Sequence, residues 1–215
     1  MTLNELKQLC KQGEGQYLEF KQFASEPDQI VEEISGFLNS KGGQLLIGVK
    51  DDHTISGLKF PEDDLSFILD YIRNKIKPKF TVEHEIIPVS SKKAVIILRV
   101  PEGPLKPYTV LNTDPRANRV YYRIADECVR ASRELKAILR YKKLKKGLTI
   151  QYSEIEAAVL KMVENKERTT KGELVENLPF SSRTISDCLV RLVSWKVLKI
   201  IPSTGGDLYD HHQIS

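Results

Sequence analysis

Three acids, Glu14, Glu19 and Asp51, are spaced so that they could meet at one edge of a sheet. The segment Glu14-Gly15-Gln16-Tyr17-Leu18-Glu19-Phe20-Lys21 alternates, with Tyr17, Glu19 and Lys21 on one face and Leu18 and Phe20 on the other, the period of a half-buried strand. Glu19 is therefore expected to project outward beside a lysine. The later segment from Asn39 to Asp52 ends a helix at Gly42-Gly43, crosses a short apolar strand, and delivers Asp51 and Asp52 at its exit. Strand ends are where α/β proteins usually place their chemistry. Converging carboxylates form the hard-oxygen set that magnesium or manganese needs to activate water against a phosphodiester. The plainer alternative makes Glu14 a solvated loop acid and pairs Glu19 with Lys21 or Arg123.

Cations give a second set of candidates. Phosphate binding requires positive charge and is independent of sequence, so Lys21, Lys41 and Arg123 form a candidate backbone-contacting patch. The stretch Asn39-Ser40-Lys41-Gly42-Gly43 is not a Walker A loop, which needs Gly-Lys followed by Ser or Thr. Its glycines read instead as a helix C-cap. Near the other end, Ser181, Ser182, Arg183, Thr184 and Ser186 fall in the first turns of a helix that also carries Arg191, where a recognition helix offers polar groups to the major groove. The acids between Glu154 and Asp210 slightly outnumber the basic residues there, so protein docking competes with DNA contact. Lys142, Lys143, Lys145 and Lys146, in a run with no acid, could supply the missing charge. The histidines have no ligand-spaced partners: His84 is expected to pack, and His53 to lie on the surface.

The elements that must position these residues are legible in outline. Helices are expected over Leu3 to Lys11, Asp28 to Asn39 and Pro61 to Ile76, the last opened by proline and acids that suit the helix dipole. Phe80 to Pro88 and Ala94 to Val100 read as strands around a Ser90-Ser91-Lys92-Lys93 turn, Arg119 to Ala125 as another strand, and Arg130 to Leu144 as a helix. After Gly147 come three capped helices, Glu154 to Asn165, Lys171 to Asn177 and Arg183 to Trp195, and then a hairpin of Lys199 to Ile201 with Leu208-Tyr209. That order resembles a winged helix-turn-helix. The expected domains are thus 1–141, a basic linker 142–149, and 150–215.

The chain has 215 residues, 40% of them hydrophobic and 29% charged, enough for two modest domains of α+β class. Cys10, Cys128 and Cys188 lie far apart, without disulfide or zinc spacing, and are expected to be small buried groups. No apolar run suggests a membrane span, and the N-terminus lacks signal-peptide features, so a cytoplasmic protein with no membrane partner is expected. A net charge of +4 mildly favours a polyanionic partner.

A resemblance sharpens these expectations. Glu14 to Lys21, then Phe37-Leu38-Asn39-Ser40 before Gly42-Gly43, then Leu45-Leu46-Ile47-Gly48-Val49 before Asp51-Asp52, and Ile55 to Gly57, are similar to the Schlafen-type, Alba-like DNA-binding domain family. Lys106-Pro107-Tyr108, Val120 to Ile124 and Ala131-Ser132 resemble that family's closing strand and following helix. The resemblance implies a Schlafen/Alba-like mixed α/β domain followed by the small winged helix. It implies nucleic-acid binding, with DNA favoured over RNA, and a transcriptional regulator. In ribonuclease members of the family three acids of this motif are catalytic, and the matching positions are Glu14, Glu19 and Asp51 or Asp52. The second reading is accordingly an endoribonuclease dependent on magnesium or manganese, and the third a self-associating scaffold. Eukaryotic Schlafens pair two related lobes, which implies that a single-lobe chain acts as a homodimer.

Overall fold

The computed structural model describes residues 1–141, 153–166 and 168–212, and the chain divides into two units, Met1–Arg130 and Ala131–Ser215. The first unit opens with α1 (Leu3–Gln12), which starts at a capping box in which Thr2 and Glu5 satisfy each other's backbone N–H groups. There follow β1 (Leu18–Lys21), α2 (Pro27–Asn39), β2 (Gly43–Ile47), α3 (Pro61–Lys75), β3 (Ile76–Lys77), β4 (Glu83–Ser90), β5 (Lys93–Val100), β6 (Thr109–Val110), β7 (Tyr121–Ile124) and β8 (Glu127–Arg130). The main sheet has the order β1-β2-β5-β4, with β1 and β2 parallel and the other pairs antiparallel. A parallel pair needs a crossover, and α2 supplies it.

Both faces of this sheet are covered. Leu45 and Ile47 of β2 join Ile96 and Leu98 of β5 in a core with Ile34, Phe37 and Leu38 of α2 and Ile68 of α3. The intervening residues Leu46, Val95 and Ile97 point the other way, where Leu6 and Cys10 of α1 meet them with Phe20. Two-sided burial is why β2 and β5 read as unbroken apolar runs rather than alternating ones. At the end of α2, Gly42 adopts a φ of 75° and its N–H donates to Phe37 O at 2.9 Å. A Cβ there would sit 2.7 Å from Val100 O, so the glycine terminates the helix where the chain must pass close to β5.

Two short ribbons, β3 with β6 and β7 with β8, complete the first unit. The expected helix from Arg130 begins later: Arg130 closes β8, and Ser132 caps α4 (Arg133–Arg140) by accepting from Leu135 N–H at 2.9 Å. His84 is exposed on the edge strand β4, not packed as expected.

The second unit contains α4, α5 (Glu154–Lys166), β9 (Arg168–Thr170), α6 (Lys171–Asn177), α7 (Ser182–Ser194), β10 (Leu198–Ile201) and β11 (Leu208–His211), with the strands in the antiparallel order β10-β11-β9. Val159, Val163, Leu174, Ile185, Leu189 and Leu192 form its core, and Trp195 packs against them. The boundary expected at 141 left α4 in the first domain. Glu134 of α4 is buried instead in the second unit, where its carboxylate accepts from Lys171 Nζ at 2.9 Å and from Ser186 Oγ. The basic stretch with Lys142, Lys143, Lys145 and Lys146 lies outside the described residues. No helix among the described residues is long and apolar enough to cross a membrane.

Candidate functional site

The alternation in β1 places Glu19 and Lys21 on one face as expected, but that face is not open. The helix α2 crosses over it and β7 lands beside α2, so Glu19 is only 5% exposed and Arg123 of β7 only 1%. The Arg123 guanidinium is the hub. Its Nη2 donates to Glu19 Oε2 at 2.8 Å and to Leu18 O at 3.0 Å, its Nη1 to Glu33 Oε2 at 2.6 Å, and its Nε to Gly15 O at 2.9 Å. The same group lies 4.8 Å from the centre of the Phe37 ring, a cation–π contact. Lys21 Nζ donates to Glu19 Oε1 and stands 4.0 Å from Glu33 Oε1. Gln16 clamps the preceding loop to β7, donating to Arg123 O at 3.2 Å and accepting from Ala125 N–H at 3.1 Å.

The electrostatics follow from burial and crowding. Desolvation, and then the neighbouring Glu19, push the Glu33 carboxyl up to about 7 despite the opposing pull of Arg123 and Lys21. Glu14 is exposed, yet partial desolvation of its carboxyl raises it; the hydrogen bond from Phe20 N–H at 2.9 Å opposes the rise, and the charges of Glu19 and Asp51 add to it. Burial acting alone would lower Lys21, but its bond to Glu19 and the nearby Glu33 and Glu14 raise it on balance.

The acids expected to be catalytic are therefore neighbours, but they are not arranged as a metal site. Both oxygens of Glu19 are held by cations, one Glu14 oxygen is held by the Phe20 amide, and Asp51 lies in an exposed turn. Among the described residues no group of three His, Cys, Asp or Glu side chains could hold an ion. Magnesium or manganese would have to displace Lys21 and Arg123 from Glu19, so these residues do not fit a resident divalent cation. The expected phosphate patch is corrected in the same way, because Arg123 is sealed inside and Lys21 is paired. Only Lys41 remains exposed.

In the second unit Ser182, Arg183 and Thr184 are exposed on the first turn of α7, whose cap Ser181 accepts from Thr184 N–H at 3.1 Å. Ser186 is buried against Glu134. Arg191, expected to contact nucleic acid, donates through Nε to the buried Glu156 at 2.9 Å and serves the core. Glu33 and Gln16 were missed from sequence. A signal for Glu33 existed: it falls between Ile30 and Phe37 at helical spacing, on the face that the apolar residues bury.

A mixed α/β domain with a buried Arg–Lys–Glu network at its motif strand defines the class of the first unit. The chain belongs to the Schlafen, AlbA_2 family, whose model matches residues 14–132. It is similar in structure to the DIP2311 protein from Corynebacterium diphtheriae, with 16% identity and a TM-score of 0.46 over 90% of this chain and 34% of that one. It is also similar to the N-terminal domain of a RecG-related protein from Nitrosomonas europaea, with 18% identity and a TM-score of 0.44 over 72% of this chain and 97% of that one. The chain thus spans about a third of the length of the DIP2311 protein. Comparison with curated proteins gives no match.

Proposed function

We propose that this chain is a DNA-binding protein that acts as a transcriptional regulator, with its second unit a winged helix that presents α7 to the major groove. The observation that carries this reading is the exposed first turn of α7, on which Arg183 has no hydrogen-bond or ion-pair partner among the described residues. An unpaired arginine beside two exposed hydroxyls at a helix start is free to take a guanine edge. The order α5, β9, α6, α7, β10, β11 supports the winged-helix reading, and membership of the family supports a nucleic-acid-related role. Against a ribonuclease, the Glu19 carboxylate is already neutralised by two cations.

Fluorescence anisotropy with a panel of duplex DNA sequences tests the reading. Arg183→Ala should reduce discrimination between preferred and other sequences by about 1 to 3 kcal/mol, the worth of one bidentate base contact. In the same assay, alanine at Lys142, Lys143, Lys145 and Lys146 should weaken all duplexes alike and flatten the salt dependence. Unchanged affinity and preference in Arg183→Ala would remove α7 as the reader. A uniform loss would make Arg183 a phosphate contact.

A further inference from the structure

Two phenylalanines of the first unit face water in one cleft. Phe23, just past β1, is 54% exposed, and Phe60, at the entrance to α3, is 70% exposed. They line a cleft of about 510 Å³ with Lys50, Lys59 and Lys93, within the size range of ligand sites. Two further hollows adjoin it: one shares Ser56 and Lys93 with the cleft, and the next shares Lys7 and Ile55 with that one and adds Lys11. Asp64 is the one acid among the residues lining all three. Lys7, Lys11, Lys50 and Lys59 have no carboxylate within ion-pair distance among the described residues, while Lys93 Nζ donates to Ser56 O at 2.9 Å. Asp51 and Asp52 follow Lys50 in the same turn, and Asp52 is occupied by Thr54 N–H.

We infer that this track binds single-stranded nucleic acid, with unpaired bases stacked on Phe23 and Phe60 and the backbone following the lysines toward Lys11. A row of unpaired cations across successive hollows suits a chain of phosphates, and exposed rings at one end suit π-faces that only unstacked bases present. A duplex hides those faces, so the partner is a single strand. The site lies in the other unit from α7 and goes beyond the duplex reading above. Its local chemistry also differs from that of the buried Glu19 network, since here the cations are not already neutralised.

The test uses the full chain and fluorescence anisotropy with three probes: labelled oligothymidylate, an abasic strand of equal length, and duplex DNA. The wild type should bind oligothymidylate at least about fivefold more tightly than the abasic strand, and the double variant Phe23→Ala/Phe60→Ala should erase that preference while leaving duplex affinity unchanged. Phe60→Trp, which keeps a stacking ring, should bind like the wild type. Lys50→Ala/Lys59→Ala should reduce the salt slope on the single strand by about 1.4, at about 0.7 per phosphate contact. Equal binding of the abasic strand by the wild type, or full retention of affinity in the double variant, overturns the inference. So does a change of sedimentation in the double variant with oligothymidylate affinity intact, which would assign the rings to self-association. Loss of duplex discrimination in Arg183→Ala with single-strand binding intact separates this site from the α7 reading.

Discussion

Replacing Arg123 with methionine isolates the charge network from packing, because methionine keeps the length and apolar stem of arginine and leaves little cavity. The variant removes the donors that serve Glu19, Glu33, Gly15 O and Leu18 O. Breaking a buried pair by deleting one partner costs about 3 to 5 kcal/mol, since the remaining charge is left uncompensated. Lys21 still holds one oxygen of Glu19, so Glu33 is the group left most exposed to this cost. Against a typical total of about 5 to 15 kcal/mol, a loss of that size brings the first unit close to unfolding. The loss should also depend on pH. Arg123 pulls the Glu33 carboxyl down, so without it Glu33 takes up a proton more readily, and acid relieves the stranded charge. The destabilisation should therefore be smaller near about pH 6 than above pH 8. Tryptophan fluorescence is the wrong probe, because the single tryptophan, Trp195, reports on the second unit. Peptide-resolved hydrogen exchange in graded urea across β1, α2 and β7 follows the right region. A loss below about 1 kcal/mol, or one equal at both pH values, would refute the claim that charge compensation holds these elements together.

Two further outcomes follow from the same network. Glu33 has a folded-state value near 7 against an ordinary 4.5, so between those values the native chain keeps a proton that the unfolded chain has lost. The stability this confers is complete below the ordinary value and disappears as pH rises through the raised one; Glu33→Gln should remove that decline, and urea midpoints with the wild-type pH slope in the variant would contradict it. Manganese or magnesium should leave the thermal midpoint of the first unit unchanged, because the Glu19 oxygens are taken; a rise that vanishes in Glu19→Gln would bring the metal reading back.

What the sequence disclosed depended on whether a signal was local. The helices α1 and α7 carry their own side-chain N-caps, α2 opens on a proline, all three have apolar periods, and their ends lie within a residue or two of expectation. The strands β3 and β6 are two residues each and exist only because Ile76 meets Val110 across a long separation, for which no local pattern stands. The period of β1 put Glu19 and Lys21 on a common face, but period does not say whether a face is covered. That was decided by the crossover of α2 and the landing of β7, both long-range events. The same holds for α4, whose amphipathic pattern fits either unit until Glu134 finds Lys171 and Ser186.

The location of the network bears on the exposed face as well. Glu14 fixes the Phe20 amide, Arg123 fixes Leu18 O and Glu19, and Gly48 N–H donates to Lys21 O at 2.7 Å, so β1 is held along its length up to Lys21. Phe23 follows two residues later, on the first stretch of chain that leaves this clamp. An exposed ring can act as a stacking platform only if its backbone is fixed, because otherwise each bound base must also order the loop. If Phe23 is a stacking ring, the buried Glu19 and the surface Glu14 fix the end of β1 that presents it, a role that requires no catalysis. In this chain the charge that the family motif brings to β1 is spent on position, and the charge available to a polyanion lies on lysines that no sequence motif marks.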